Sequence, residues 1–103
     1  MRFQRVVFDP HCHKHGLTEE DIVYAAENLT SAIEQIKYNG NLYIRFIGKH
    51  ADALVPQIEV VLKVTPTRIV VIYHANSASP NFFDTPFVNW ITKYHNKKER
   101  INQ

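Results

Sequence analysis

The stretch Arg68-Ile-Val-Val-Ile-Tyr-His74 contains a continuous run of apolar, mostly β-branched residues from Ile69 to Tyr73. Such a run predicts a strand that is buried on both faces. The sequence turns polar at His74-Ala75-Asn76-Ser77, which predicts a loop. We therefore expect this strand to be the centre of a sheet. His74, at its C-terminal end, is the first candidate for chemistry.

Segments upstream of this stretch predict further strands with short connections. Asn39-Gly40-Asn41 is a strong hairpin signal between Ser31–Tyr38 and Leu42–Ile47, because Asn-Gly supplies the positive φ angles of a tight turn. Ile58–Val64 alternates between the two faces of a strand, and the turn Thr65-Pro66-Thr67 follows it. Short connections between successive strands favour an antiparallel meander.

Helices are predicted on both sides of this meander. Thr18 can cap a helix that begins with three acidic residues, and the residues before Gly16 fit one helical turn. Pro86 opens a C-terminal helix over about 86–100. We predict a single α+β domain over residues 1–103, with N-terminal helices, a four-stranded mainly antiparallel sheet and a C-terminal helix. Phe3–Phe8 is a further short strand candidate, and helices from both chain ends are expected to cover one face.

Composition narrows the class of protein. The hydrophobic fraction of 45% and the net charge of +2 indicate a folded, mildly basic domain. The single cysteine, Cys12, excludes an intramolecular disulfide, and no apolar run approaches the length of a membrane span. We expect a cytoplasmic protein without a membrane partner. Three glycines exclude the Rossmann and P-loop phosphate motifs.

The run His11-Cys12-His13-Lys14-His15 resembles a metal site, because His11 and His15 would share one face of a helix. No second Cys or His pair completes a zinc ligand set, so we predict no metal and no cofactor. A solvated polar turn is the alternative interpretation of this run.

Histidine with arginine, lysine or tyrosine on a sheet can cleave RNA without metal. A base takes the proton of the 2′-hydroxyl, an acid protonates the leaving oxygen, and a cation stabilises the charge on phosphorus. The catalytic candidates are His74, His15, Arg45 and Lys14, and the RNA-binding candidates are Lys49, Lys97, Lys98 and Arg100. Several of these residues have a structural alternative. Arg45 fits a solvent-facing residue or a cross-strand ion pair, and His74 fits a backbone-bonded strand end. Lys97, Lys98 and Arg100 fit a solvated helix end.

Lys14-His-Gly-Leu-Thr-Glu-Glu-Asp-Ile22 resembles the K-H-G-[VI]-[ST]-x-E-[ED]-[VI] opening of small bacterial toxin-like proteins related to BrnT and, more distantly, RelE. In one branch of these proteins the middle hairpin ends in Ile-Gly or Val-Gly, which Ile47-Gly48 matches. Their last strand ends in V-I-H-A, which Ile72-Tyr-His-Ala75 matches with one inserted-like tyrosine. The resemblance spans about residues 11 to 83, and the matched positions are Lys14, His15, Gly16, Gly48, His74 and Ala75.

The resemblance implies the toxin of a type II toxin–antitoxin pair, an endoribonuclease whose partners are an antitoxin protein and RNA. Relatives place an arginine soon after His-Ala, where this chain has Asn76-Ser-Ala-Ser79. This difference motivates an alternative, a non-catalytic protein-interaction module derived from such a toxin. Enzyme activity is therefore an open prediction, and a homodimer is one option for the oligomeric state.

Overall fold

The computed structural model describes residues 5–9 and 16–101, with the backbone alone at residue 5 and at 96–101. This part of the chain forms five strands and two helices. In chain order they are β1 (Arg5–Phe8), α1 (Glu19–Glu27), β2 (Glu34–Tyr38), β3 (Asn41–Gly48), β4 (Ile58–Val64), β5 (Ile69–Ser77) and α2 (Phe87–Ile101).

The strands form one mixed sheet in the order β1-β5-β4-β3-β2. Strands β2 to β5 are an antiparallel meander, as predicted, but β1 adds a fifth strand that pairs parallel to β5. The prediction of a four-stranded sheet behind N-terminal helices is therefore wrong, since the described N-terminal part holds one strand and one helix. The parallel partner of β1 lies far along the chain, where local sequence patterns carry no information about it.

The central strand of the sheet is β4, not the apolar strand β5. Five of the seven residues of β4 are apolar, and its first four residues, which include Glu59, are all buried. β5 lies one place from the edge and continues to Ser77, so His74 lies inside the strand and not at its end. The prediction that β5 is central and stops at His74 is corrected accordingly.

Turn residues fix the register of the meander. Asn39 and Gly40 have φ angles of 50° and 81°, which is the geometry expected for the predicted hairpin between β2 and β3. In the next tight turn the Arg68 amide donates to the Thr65 carbonyl at 2.9 Å, and Arg68 takes a φ of 65°. Each turn therefore sets which side chains of the adjoining strands share a face.

Helix α1 begins with a reciprocal cap. The Asp21 amide donates to Thr18 Oγ1 at 3.1 Å, and the Thr18 amide donates to Asp21 Oδ2 at 3.0 Å. This cap confirms the helix start that the sequence predicted. The end of α1 packs so closely on β3 that a Cβ atom at Gly48 would overlap the carbonyl group of Ala25.

The two helices lie on opposite faces of the sheet. The α1 face has an apolar core that joins Ile22 and Ala25 of α1 to β-strand residues such as Phe46 and Val60. The α2 face holds a second, aromatic cluster around Phe87 and Ile91. The expectation that helices from both chain ends cover one face is therefore wrong, because strand alternation gives the sheet an apolar surface on each side.

A β-bulge in β5 disturbs this alternation. Leu62 pairs with Ile72, but the next residue of β4, Val61, pairs with His74. Tyr73 is the extra residue, and the bulge brings both Tyr73 and His74 onto the α2 face. Beyond it, Ala75 returns to the α1 face.

Candidate functional site

His74 is hydrogen-bonded to a carboxylate of the central strand. Its Nε2 lies 2.9 Å from Glu59 Oε2, and the two side chains are only 11% and 8% exposed. Asn76, two residues after His74, is the direct register partner of Glu59. Glu59 and His74 are therefore diagonal neighbours across β4 and β5, which is within reach of two long side chains.

Glu59 is fixed from its other side by the loop that follows β5. Ser79 donates its amide and its hydroxyl to Glu59 Oε1, at 2.7 and 2.9 Å. Burial alone would raise the pKa of Glu59, but the hydrogen bonds from His74 and Ser79 outweigh it and lower the pKa. The lowered pKa means that the Glu59 carboxylate stays ionised at neutral pH, where it can accept a hydrogen from Nε2 of His74.

Two aromatic rings of α2 pack against the imidazole. Trp90 and Tyr94 are stacked, with centroids 4.8 Å apart and planes at 10°. The His74 ring meets both edgewise, at centroid distances of 5.1 and 5.3 Å. One side of His74 is thus held by a carboxylate and another by an aromatic pair, and the orientation of its ring is fixed.

Tyr73, the neighbour of His74 at the bulge, is buried on the same face. Its ring contacts Tyr43 and Tyr94 edgewise, at 5.5 and 5.1 Å. Burial raises the pKa of the Tyr73 hydroxyl, so this group stays protonated at neutral pH.

Arg45 is buried on the α2 face and is 1% exposed. Its Nε and one terminal nitrogen lie 2.7 and 2.6 Å from Glu34 Oε2, and the other terminal nitrogen donates to the Phe82 carbonyl at 3.1 Å. The guanidinium also lies 4.8 Å from the centre of the Phe87 ring, within cation–π range. Of the alternatives raised by the sequence, the geometry is that of the cross-strand ion pair, since Glu34 is the register partner of Arg45.

His74 and Arg45 share the α2 face and flank the same residue of β4. Val61 pairs with Arg45 on one side and with His74 on the other. Two strand spacings, about 9 to 10 Å, therefore separate the two backbones. The structure brings these two predicted site residues onto one surface, but each is engaged by its own carboxylate.

The other predicted site residues are not gathered around His74. Lys14 and His15 lie outside the described residues. Lys49 is exposed just beyond the end of β3 where Gly48 pairs with Ile58. Helix α2 runs away from that end, because His95 near its middle contacts Tyr38 at the hairpin end of β2. Lys97, Lys98 and Arg100 follow in α2, and their side chains are not described.

Sequence reasoning missed Glu59 and Ser79. Glu59 falls on the same strand face as Val61 by simple alternation, and an acid among the apolar residues of a central strand was an available signal. Its pairing with His74 was not predictable, because it depends on the register of β4 with β5 and on the bulge. Ser79 gave no signal at all, since it lies in a loop.

A second histidine pair ties α1 to the loop after β3. His50 Nε2 lies 3.3 Å from Asp21 Oδ1, and its Nδ1 accepts the Asp52 amide hydrogen at 2.9 Å. Within the described ranges no three His, Cys, Asp or Glu side chains gather as a metal-ligand group, and the His11–His15 run lies outside them. Neither described helix is long and apolar enough to cross a membrane.

The chain was compared with known proteins at three levels. No family model, no curated protein and no solved structure matches it.

Proposed function

We propose that the protein is a toxin-type endoribonuclease that cleaves RNA without a metal ion and that an antitoxin protein holds inactive. The observation that carries the proposal is the Glu59–His74 pair. A histidine whose ring is oriented by a buried carboxylate is the arrangement that general bases use in many enzymes. The proposal also draws on the family resemblance, in which His74 and Ala75 belong to the motif of the last strand.

In this proposal His74 and His15 share the roles of base and acid. The base removes the 2′-hydroxyl proton, the 2′-oxygen attacks the adjacent phosphorus, and the acid protonates the departing 5′-oxygen. The products are a 2′,3′-cyclic phosphate and a 5′-hydroxyl. Glu59 is a positioning residue, because it acts on His74 and not on RNA. Lys14, Lys49 and the basic end of α2 would supply cations for the RNA backbone. A cytoplasmic location, where the RNA substrate is present, is part of the proposal.

Purified protein incubated with single-stranded RNA in EDTA provides the test. We expect cleavage that leaves cyclic phosphate ends, and we expect His74→Gln to lower the rate at least about a hundred-fold, the usual contribution of a general base or acid. Leu54→Ser is the matched control, because Leu54 is almost fully exposed in the loop between β3 and β4. Circular dichroism of each variant separates loss of chemistry from loss of fold. Undiminished cleavage by a folded His74→Gln protein would remove His74 from the mechanism.

A second candidate function is a non-catalytic protein-interaction module. The burial of Arg45 favours it, because a guanidinium that is 1% exposed and bonded to Glu34 and Phe82 does not reach a phosphate. Induced expression separates the two candidates. Growth arrest by the wild type that His74→Ala relieves supports the ribonuclease. Expression without arrest, together with no cleavage in vitro, supports the interaction module.

A further inference from the structure

Within the described residues, the α1 face of the sheet is only partly covered. Strands lie about 4.8 Å apart and neighbouring packed helices about 8 to 10 Å apart, so one helix covers roughly two strands. Helix α1 has nine residues and lies against β3 and β4. On this same face, the surface over β5 and β1, toward the β1 edge of the sheet, is therefore left without a described helix.

A groove runs between α1 and these two strands. We call it the α1 groove; its volume is about 220 Å³. Its apolar lining comes from the strands and from the side of α1: Val6, Val23, Ala26, Leu62, Val70 and Ile72.

The rim of this groove exposes large apolar side chains. Val6 is 53% exposed and Val23 is 45% exposed, one from each wall. The groove is smaller than the roughly 300 to 1,000 Å³ of typical small-molecule sites, but it suits the side chains of a packed helix. It opens into a second hollow of about 380 Å³ that shares Val23 and Glu27 and also has Tyr24 in its wall. Together they form an amphipathic strip along α1.

The charge around the groove is negative although the whole chain is basic. Residues 16–30, which include α1, contain four acidic residues and no lysine or arginine, whereas the chain has a net charge of +2. Glu20 and Glu27 are exposed on α1, and both line the second hollow beside the groove. An occupant with an apolar stripe and basic flanks would bury Val6 and Val23 and would neutralise these carboxylates.

We propose that the α1 groove is the docking site for a basic amphipathic helix of a partner protein. The helix would lie beside α1 over β5 and β1, with its apolar stripe on Val6, Val23 and Val70 and with lysine or arginine facing Glu20 and Glu27. This docking does not depend on chemistry at His74, which lies on the opposite face of the sheet.

The test uses a synthetic peptide of about 15 residues, close to the shortest length that forms a helix in water. It carries leucine at the i, i+3, i+4 and i+7 positions and lysine on the flanks, and a matched peptide replaces every lysine with glutamate. Fluorescence anisotropy measures both affinities for the intact protein. We expect the lysine peptide to bind at least about ten-fold more tightly than the glutamate peptide.

Two matched variants locate the binding. Val23→Lys places a cation in the groove, and Val88→Lys makes the same change at a residue of α2 that is exposed to a similar degree on the other face. We expect the first to weaken binding of the lysine peptide at least about ten-fold and the second to leave it unchanged. Equal effects of the two variants, or equal binding of the two peptides, would overturn the proposal.

A second copy of the chain is the competing occupant. Light scattering of the wild type at increasing protein concentration decides between a second copy and a partner helix. A monomer that binds the lysine peptide supports the partner helix. A dimer that Val23→Lys dissociates would mean that the groove is a self-association surface, and the proposal of a different partner would be wrong.

Discussion

The two faces of the sheet are stabilised in different ways. The α2 face buries two charged groups: Arg45, which binds Glu34 among aromatic rings, and Glu59, which binds His74 and Ser79. The α1 face buries apolar side chains alone, relies on the close approach of α1 to Gly48, and leaves the α1 groove partly uncovered. The face with buried charges therefore carries the candidate chemistry, whereas the apolar face with the α1 groove carries the candidate docking surface.

The largest expected effect comes from removing Arg45. Arg45→Ala would leave a void among Phe82, Phe83 and Phe87 and would leave the Phe82 carbonyl without its donor, at a cost of about 3 kcal/mol in the free energy of unfolding. Glu34 is 43% exposed, so water solvates its carboxylate in the variant and adds little to that cost.

Urea denaturation measures the effect, and Arg45→Met is the control, because it keeps most of the volume without the charge. We expect Arg45→Met to cost clearly less than Arg45→Ala. If Arg45→Ala were as stable as the wild type, the α2 face would not depend on its buried arginine.

The corresponding destabilising substitution on the α1 face is Gly48→Ala. The added methyl group would overlap the Ala25 backbone, so the end of α1 must move, at a cost of about 2 kcal/mol. Gly40→Ala is the matched control, because Gly40 has a φ of 81° with open space around it, and backbone strain there costs about 1 kcal/mol. Thermal unfolding followed by circular dichroism ranks the two. Equal losses would show that the contact between α1 and Gly48 is not tight.

The smallest expected effect is the most specific to the α2 face. The pKa of Glu59 is lower in the folded protein than in the unfolded chain, so the folded state binds its proton less readily. The stability that Glu59 contributes is therefore present at pH values above the ordinary pKa of glutamate. It is lost as the pH falls through the lowered pKa of the folded state. Glu59→Gln should cost about 1 kcal/mol at neutral pH and should reduce the loss of stability in acid.

The fluorescence of Trp90, the single tryptophan of the chain, follows unfolding at each pH, since its ring contacts His74 directly. Glu27→Gln, at an exposed position on α1, is the control. An acid profile of Glu59→Gln that coincides with that of the wild type would contradict the role given to the Glu59 carboxylate.

Local signals predicted the features that depend on neighbouring residues. The Asn39-Gly40 hairpin, the Thr18 cap and the antiparallel order of β2 to β5 follow from turn chemistry and hydrophobic periodicity. The parallel pairing of β1 with β5 joins distant segments, so periodicity did not predict it. The same holds for the candidate site: His74 and Arg45 were identified by residue type, but the partners that hold them, Glu59 and Glu34, follow from strand register.

The bulge at Tyr73 has a consequence for mutation at the level of the gene. A deletion of the Tyr73 codon would restore regular alternation in β5, because His74 would follow Ile72 directly. His74 would stay opposite Val61, and Ala75–Ser77 would keep their partners in β4, so no part of the strand would have to slide. The bulge therefore makes Tyr73 a position at which β5 can lose a residue without a change in its register with β4, and the loss there is of one buried aromatic ring.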